Sequence, residues 1–151
     1  MKKYLTVGLL LMIFKIQAQY VDAVGIRAGL YNGITYKHFF MNETAVEGIL
    51  HTRWSGLEVV GLLENHQDLS PDGLSWYWGY GAHLGFYDSQ YTNWYESGST
   101  TVVGIDGIIG LEFIIPNSPI AVGFDWKPYF NIIGHSGLYA DGGALSLRYT
   151  F

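Results

Sequence analysis

The sequence predicts an all-β chain whose strands run antiparallel, up and down, and close into an eight-stranded barrel. Three observations carry that prediction. Apolar and polar residues alternate at every second position through eight stretches, the period of a strand rather than a helix. Turn-forming clusters, among them Asn32-Gly33, Ser55-Gly56 and Pro71-Asp-Gly73, separate these stretches. The 151 residues include 20 Gly and 12 Tyr but only 4 Pro, a β composition without the Ala, Glu, Lys and Leu richness of helices.

The elements follow in order. Strand one, Ala23 to Leu30, sets Val24, Ile26, Ala28 and Leu30 against Gly25, Arg27 and Gly29. Tyr31-Asn32-Gly33 is a hairpin signal, because Asn and Gly tolerate the positive φ such turns need. Strand two, Ile34 to Phe40, sets Ile34, Tyr36, His38 and Phe40 against Thr35, Lys37 and Phe39. Strand three, Ala45 to Trp54, opposes Val46, Gly48 and Leu50 to Glu47, Ile49, His51 and Arg53. Strand four, Leu57 to about Asn65, is less regular: Val60 and Leu62 share a face with Glu58 and Glu64, which fits either a bulge or a locally apolar interior.

Strand five, Trp76 to Phe86, alternates Trp76, Trp78, Tyr80, Leu84 and Phe86 with Tyr77, Gly79, Gly81, His83 and Gly85. Strand six, Thr101 to Ile115, places Val103, Ile105, Ile109 and Leu111 opposite Gly104, Asp106, Gly110 and Glu112. Strand seven, Ile120 to Ile132, opposes Val122, Phe124, Trp126 and Phe130 to Asp125, Lys127 and Tyr129. Pro128 inside it lacks an N–H for the ladder and is expected near the outer rim. Gly134 to Gly143 is expected as a loop. Strand eight, Ala144 to Phe151, puts Leu145, Leu147, Tyr149 and Phe151 on one face and Ser146, Arg148 and Thr150 on the other.

The N-terminus reads as a cleavable signal peptide. Met1-Lys2-Lys3 is basic, Tyr4 to Phe14 mostly apolar, and the cut is expected between Ala18 and Gln19. The domain organisation expected is therefore 1–18 signal peptide and 19–151 barrel. No cysteine occurs, which excludes a disulfide framework and a lipoprotein anchor. The remaining 133 residues carry five basic and 13 acidic side chains, a formal −8, with no basic patch to engage nucleic acid.

The placement of these charges sets the environment. Arg27, Lys37, Arg53, Lys127 and Arg148 all fall on the polar faces of strands, as do Glu47, Glu58, Glu64, Asp106, Glu112 and Asp125. The opposite faces carry no charge. A charged side chain facing lipid at mid-bilayer costs ~2–4 kcal/mol, so a lipid-facing wall must have this pattern. The expectation is a transmembrane barrel with apolar faces outward and the eleven charges forming a structural network in the lumen. The alternative is a soluble lipocalin-like barrel, which has the same period turned inside out.

With these strands, leader and final aromatic strand, the chain resembles small eight-stranded outer-membrane barrels of the OmpA/OmpX type. Val24-Gly-Ile-Arg27, Gly33-Ile-Thr-Tyr-Lys-His38, Phe124-Asp-Trp-Lys-Pro128 and Leu145-Ser-Leu-Arg-Tyr-Thr-Phe151 carry the resemblance. It implies the outer membrane of a Gram-negative bacterium, a monomer in outer-membrane lipid, and recognition by the barrel assembly machinery through Tyr149 and Phe151. The chain departs from OmpA in lacking a periplasmic peptidoglycan-binding domain, and its short first and second outer connections depart from OmpX's projecting sheet.

Candidate chemistry is sparse. The interior of an eight-stranded barrel is only wide enough for side chains, so the charges are expected as salt-bridged plugs rather than an ion path. A small-solute channel is the alternative. The five His residues lie on different strands and face both ways, without ligand spacing, so no metal or other cofactor is expected. His135-Ser136 with Asp141 is the one nucleophile-like set, and the motifs of lipid-modifying barrel enzymes are absent. Tyr91, Trp94 and Tyr95 in the third outer loop are candidates for partner contact or interfacial anchoring. The expected role is structural or surface-interacting, not enzymatic.

Overall fold

The structure is a computed structural model that describes residues 20–53, 56–88 and 99–151. Among the described residues, ten strands form one antiparallel sheet: β1 (Asp22–Gly29), β2 (Asn32–Phe39), β3 (Thr44–Arg53), β4 (Gly56–Asp68), β5 (Leu74–Asp88), β6 (Ser99–Ile114), β7 (Ile120–Trp126), β8 (Tyr129–Ile133), β9 (Gly137–Tyr139) and β10 (Gly143–Thr150). β1 to β6 each pair with the next strand in sequence, β8 pairs with β6 and β9, β10 pairs with β7, and β1 pairs with β10 from Ala23↔Thr150 to Gly29↔Ala144. The sheet therefore closes. Because β7 and β8 both run along β6, and β9 continues β10, the ten segments make eight staves.

Closure follows from hydrogen-bond accounting, since a strand left at an edge exposes a row of unpaired amides. The first and last strands meet: Asp22 N–H donates to Phe151 O (3.0 Å) and Phe151 N–H to Asp22 O (2.8 Å). We call this the terminal end and the opposite end the far end. β5 and β6, at 15 and 16 residues, outrun their neighbours there, pairing to Asp88↔Ser99.

Three expectations are corrected. Strand seven is not continuous: it divides at Lys127-Pro128. Gly107 N–H donates to Pro128 O (2.9 Å), but proline has no N–H to return the bond, so the ladder is interrupted without a change of register. The divide falls where regular β7–β10 pairing stops at Trp126↔Gly143, on the way to the far end. The segment 134–143 is not all loop, because Gly137–Tyr139 pairs with β8. The first hairpin turns before Asn32, not through it. Asn32 opens β2, its Oδ1 accepts from Gly29 N–H (3.2 Å), and neither it nor Gly33 has positive φ. Gly33 is needed for close approach instead: a Cβ there would lie 2.3 Å from Leu50 O. Positive φ occurs at Gly73 (90°) in the Pro-Asp-Gly turn and at Gly134 (91°) after β8.

The irregularity of strand four resolves as an apolar interior. The β3–β4 register runs unbroken from Thr44↔Asn65 to Arg53↔Gly56, so no bulge is present. Val60 and Leu62 are buried in a cluster with Ile49, Tyr77 and Ile108. The leader, Trp54, Ser55 and the loop with Tyr91, Trp94 and Tyr95 lie outside the described residues.

Candidate functional site

The alternation sorts the wall into two surfaces. Ile26 (59% exposed), Phe124 (57%) and Leu145 (58%) face out. On the same strands Arg27, Asp125 and Arg148 are at or below 2% exposed. Lys37, Glu47, Glu58, Glu64, Asp106, Glu112 and Lys127 are buried as well. With no apolar layer outside the sheet, burial here means the barrel interior. The side chain of Arg53 lies outside the description.

The structure brings these residues together in two networks and a separate pair. Near the terminal end, Arg148 bridges two carboxylates, with Nη1 donating to Glu112 Oε2 (2.8 Å) and Nη2 to Glu47 Oε1 (2.7 Å). Lys37 Nζ stands 2.7 Å from Glu64 Oε2 and 3.5 Å from Glu47 Oε2, and lies 4.3 Å from the Tyr77 ring centroid. Tyr20 OH donates to Glu112, Thr35 Oγ1 to Glu47, and His66 Nε2 sits 3.1 Å from Glu64 Oε2. Below this network Tyr20, Ala23, Phe39 and Ala45 pack as an apolar floor.

Toward the far end, Asp106 holds Lys127 Nζ on one oxygen and His83 Nδ1 on the other (2.7 Å). His83 Nε2 lies 2.9 Å from Asn131 Oδ1, and Asn131 Nδ2 donates to His135 O (3.1 Å), which ties the interior to the link between β8 and β9. Tyr87 OH donates to Glu58, whose Oε1 is 3.2 Å from His51 Nε2 but not aligned for a hydrogen bond. The hydroxyls of Tyr31 and Tyr129 share a hydrogen bond (2.8 Å), and Tyr129 stacks on Tyr139 (5.0 Å). Between the two networks, Arg27 pairs with Asp125 across β1 and β7.

Inward glycines make room for these long side chains. Above Gly123 a Cβ would lie 2.5 Å from Ser146 Oγ and 3.0 Å from Arg148 Nη1, and above Gly110 2.6 Å from Tyr77 OH. Buried polar atoms without a hydrogen-bond partner include Arg27 Nη1, Arg148 Nε, Tyr77 OH and Ser146 Oγ.

Sequence periodicity put His51, His83, Tyr77 and Tyr129 on the charged face, but Tyr20, Tyr31 and Tyr87 fall outside the predicted strands and were missed. Their parity with the charged residues holds only once the chain's entry and the extra length of β5 are known. His38 faces outward, its Nδ1 2.8 Å from Asp22 Oδ1. His135, Ser136 and Asp141 are exposed near β9. Among the described residues, no three His, Cys, Asp or Glu side chains group as a metal site.

No protein-family model matches the chain. No curated protein matches it. Among solved structures it is similar to the crystal structure of the N-terminal β-barrel domain of Pseudomonas aeruginosa OprF, with a TM-score of 0.71 over 89% of this chain and 100% of that one. At 12% identity the two share a fold, a closed eight-stave antiparallel barrel, and that likeness extends no further.

Proposed function

We propose that this protein is an integral outer-membrane barrel of a Gram-negative bacterium, with a closed lumen and a structural or surface-interaction role. The single observation that carries the reading is the two-sided wall: long apolar side chains outward all round, buried ion pairs inward. Exposing that outer surface to water would be costly, whereas lipid accepts it and penalises charge there by ~2–4 kcal/mol per residue at mid-bilayer. The reading includes export by residues 1–18, a periplasmic terminal end, and monomeric residence in outer-membrane lipid. Tyr149 on β10 and Phe151 just after it would present the apolar face that the assembly machinery grips, and the eleven-residue lumen network would pair its charges within the closed interior.

A second reading, a small-solute channel, has one observation in its favour. The orphaned atoms of Arg27, Arg148, Tyr77 and Ser146 leave the lumen with hydrogen-bonding capacity that water can use.

The test is heat-modifiable gel migration of the outer-membrane fraction, with full-length chain and a Phe151 deletion side by side. A membrane-extracted band that shifts on boiling, and that is depleted in the deletion, is the expected outcome. A soluble periplasmic protein indifferent to the deletion would overturn the reading.

A further inference from the structure

We propose that the permeability barrier of this barrel is a mid-lumen apolar septum of Ile49, Val60, Leu62 and Ile108, closed on its remaining side by the Arg27–Asp125 pair. On this view the two buried ion networks flank the septum and are not the seal. The inference rests on the closed-lumen reading and identifies what does the closing.

The strands themselves place the septum. On β3, Ile49 stands between Glu47 of the terminal network and His51 of the far one. On β4, Val60 and Leu62 stand between Glu64 and Glu58. On β6, Ile108 stands between Glu112 and Asp106. The same two-residue inward step produces the same layering three times, and the four apolar side chains form one contact cluster with Tyr77. They meet across β5 because its inward positions there, Gly79 and Gly81, carry no side chain. A Cβ on Gly81 would lie 1.9 Å from Gly61 O. The other half of the wall is spanned by Arg27 and Asp125, and Asp125 lies between Gly123, opposite Glu112, and Lys127.

The two materials resist ions differently. An ion entering a network can exchange partners with charges already there, and in the terminal network the unpartnered Glu64 Oε1 and Arg148 Nε can replace part of its hydration. A layer of Ile, Val and Leu side chains offers no such partners. An ion crossing it must shed water over one or two side-chain thicknesses, about 7 Å along the strands, and constrictions of this kind stay closed by dewetting.

The experiment is single-channel recording in planar bilayers with KCl as the probe. Leu62→Ser, Ile108→Ser and the shape-conserving Val60→Thr are compared with wild type and with the network variants Glu64→Gln and Asp106→Asn, each verified as folded by its heat-shifted band. The proposal expects folded septum variants to show open steps and at least about a tenfold rise in mean conductance. The network variants should stay at the wild-type baseline. Silent, folded septum variants, or network variants that conduct as well as them, would overturn it. Sustained steps from the wild-type protein would instead sink the closed-lumen reading, an outcome distinct from the other two.

Discussion

Arg148 concentrates the residue-scale energetics. Fully buried, it is held by Glu112 and Glu47 from two other strands, and its aliphatic stem passes over Gly25. Removing it strands two carboxylates in a low-dielectric interior, so Arg148→Met should cost about 3–5 kcal/mol, read from the urea unfolding midpoint of the refolded barrel. The Arg27–Asp125 pair supports a finer prediction. Either single change, Arg27→Met or Asp125→Leu, leaves one uncompensated charge, but the double change leaves none. The double variant should therefore be more stable than at least one single, and a cycle in which the two costs simply add would show that the pair does not interact.

At the scale of elements, what matters is ladder continuity and face. The break between β7 and β8 traces to a missing N–H at Pro128. Pro128→Ala restores that donor opposite Gly107, with a gain of up to about 1 kcal/mol offset by the freedom alanine returns to the unfolded chain. The expected signature is slow hydrogen exchange at the new amide, and an amide that exchanges at the rate of a free loop would count against this account. Face is tested on β1, where Ile26 and Arg27 are neighbours with opposite fates. Ile26→Arg should lose about 2–4 kcal/mol of folding stability in lipid vesicles. A smaller loss in a thin detergent shell would fit the same cause, and no loss in either would place that face outside the lipid.

For the whole molecule, the charge distribution sets the response to solution conditions. Among the described residues, Arg27, Lys37, Lys127 and Arg148 are all interior, whereas Glu43, Asp68, Asp72, Asp88 and Asp141 are exposed in turns and strand ends. Ion pairs buried inside the wall are screened much less than surface bridges, which are screened over about 10 Å at 0.1 M salt. Stability should therefore change little between low and molar KCl. A midpoint that falls steeply with salt would mean that the networks are open to bulk electrolyte.

The sequence by itself determined the class of fold, the number of staves and the facing of nearly every strand residue, because a period of two is a local property that backbone geometry enforces wherever a strand forms. It also put the strand charges on one set of faces, and the closed barrel with those faces inward is what buried them. Local pattern did not determine where ladders stop, and so missed the split at Pro128, the short β9 and the added length of β4 and β5. Partnership was still less legible. Nothing in the spacing of Lys37, Glu64 and His66 says that they meet, or that Asp106 is shared by Lys127 and His83, because strand stagger alone decides which inward residues reach the same level. The apparent flaw in strand four shows this most plainly. Val60 and Leu62 look misplaced beside Glu58 and Glu64 until closure brings Ile49 and Ile108 to the same height, where apolar side chains from several strands bury one another in a lumen too narrow for anything else.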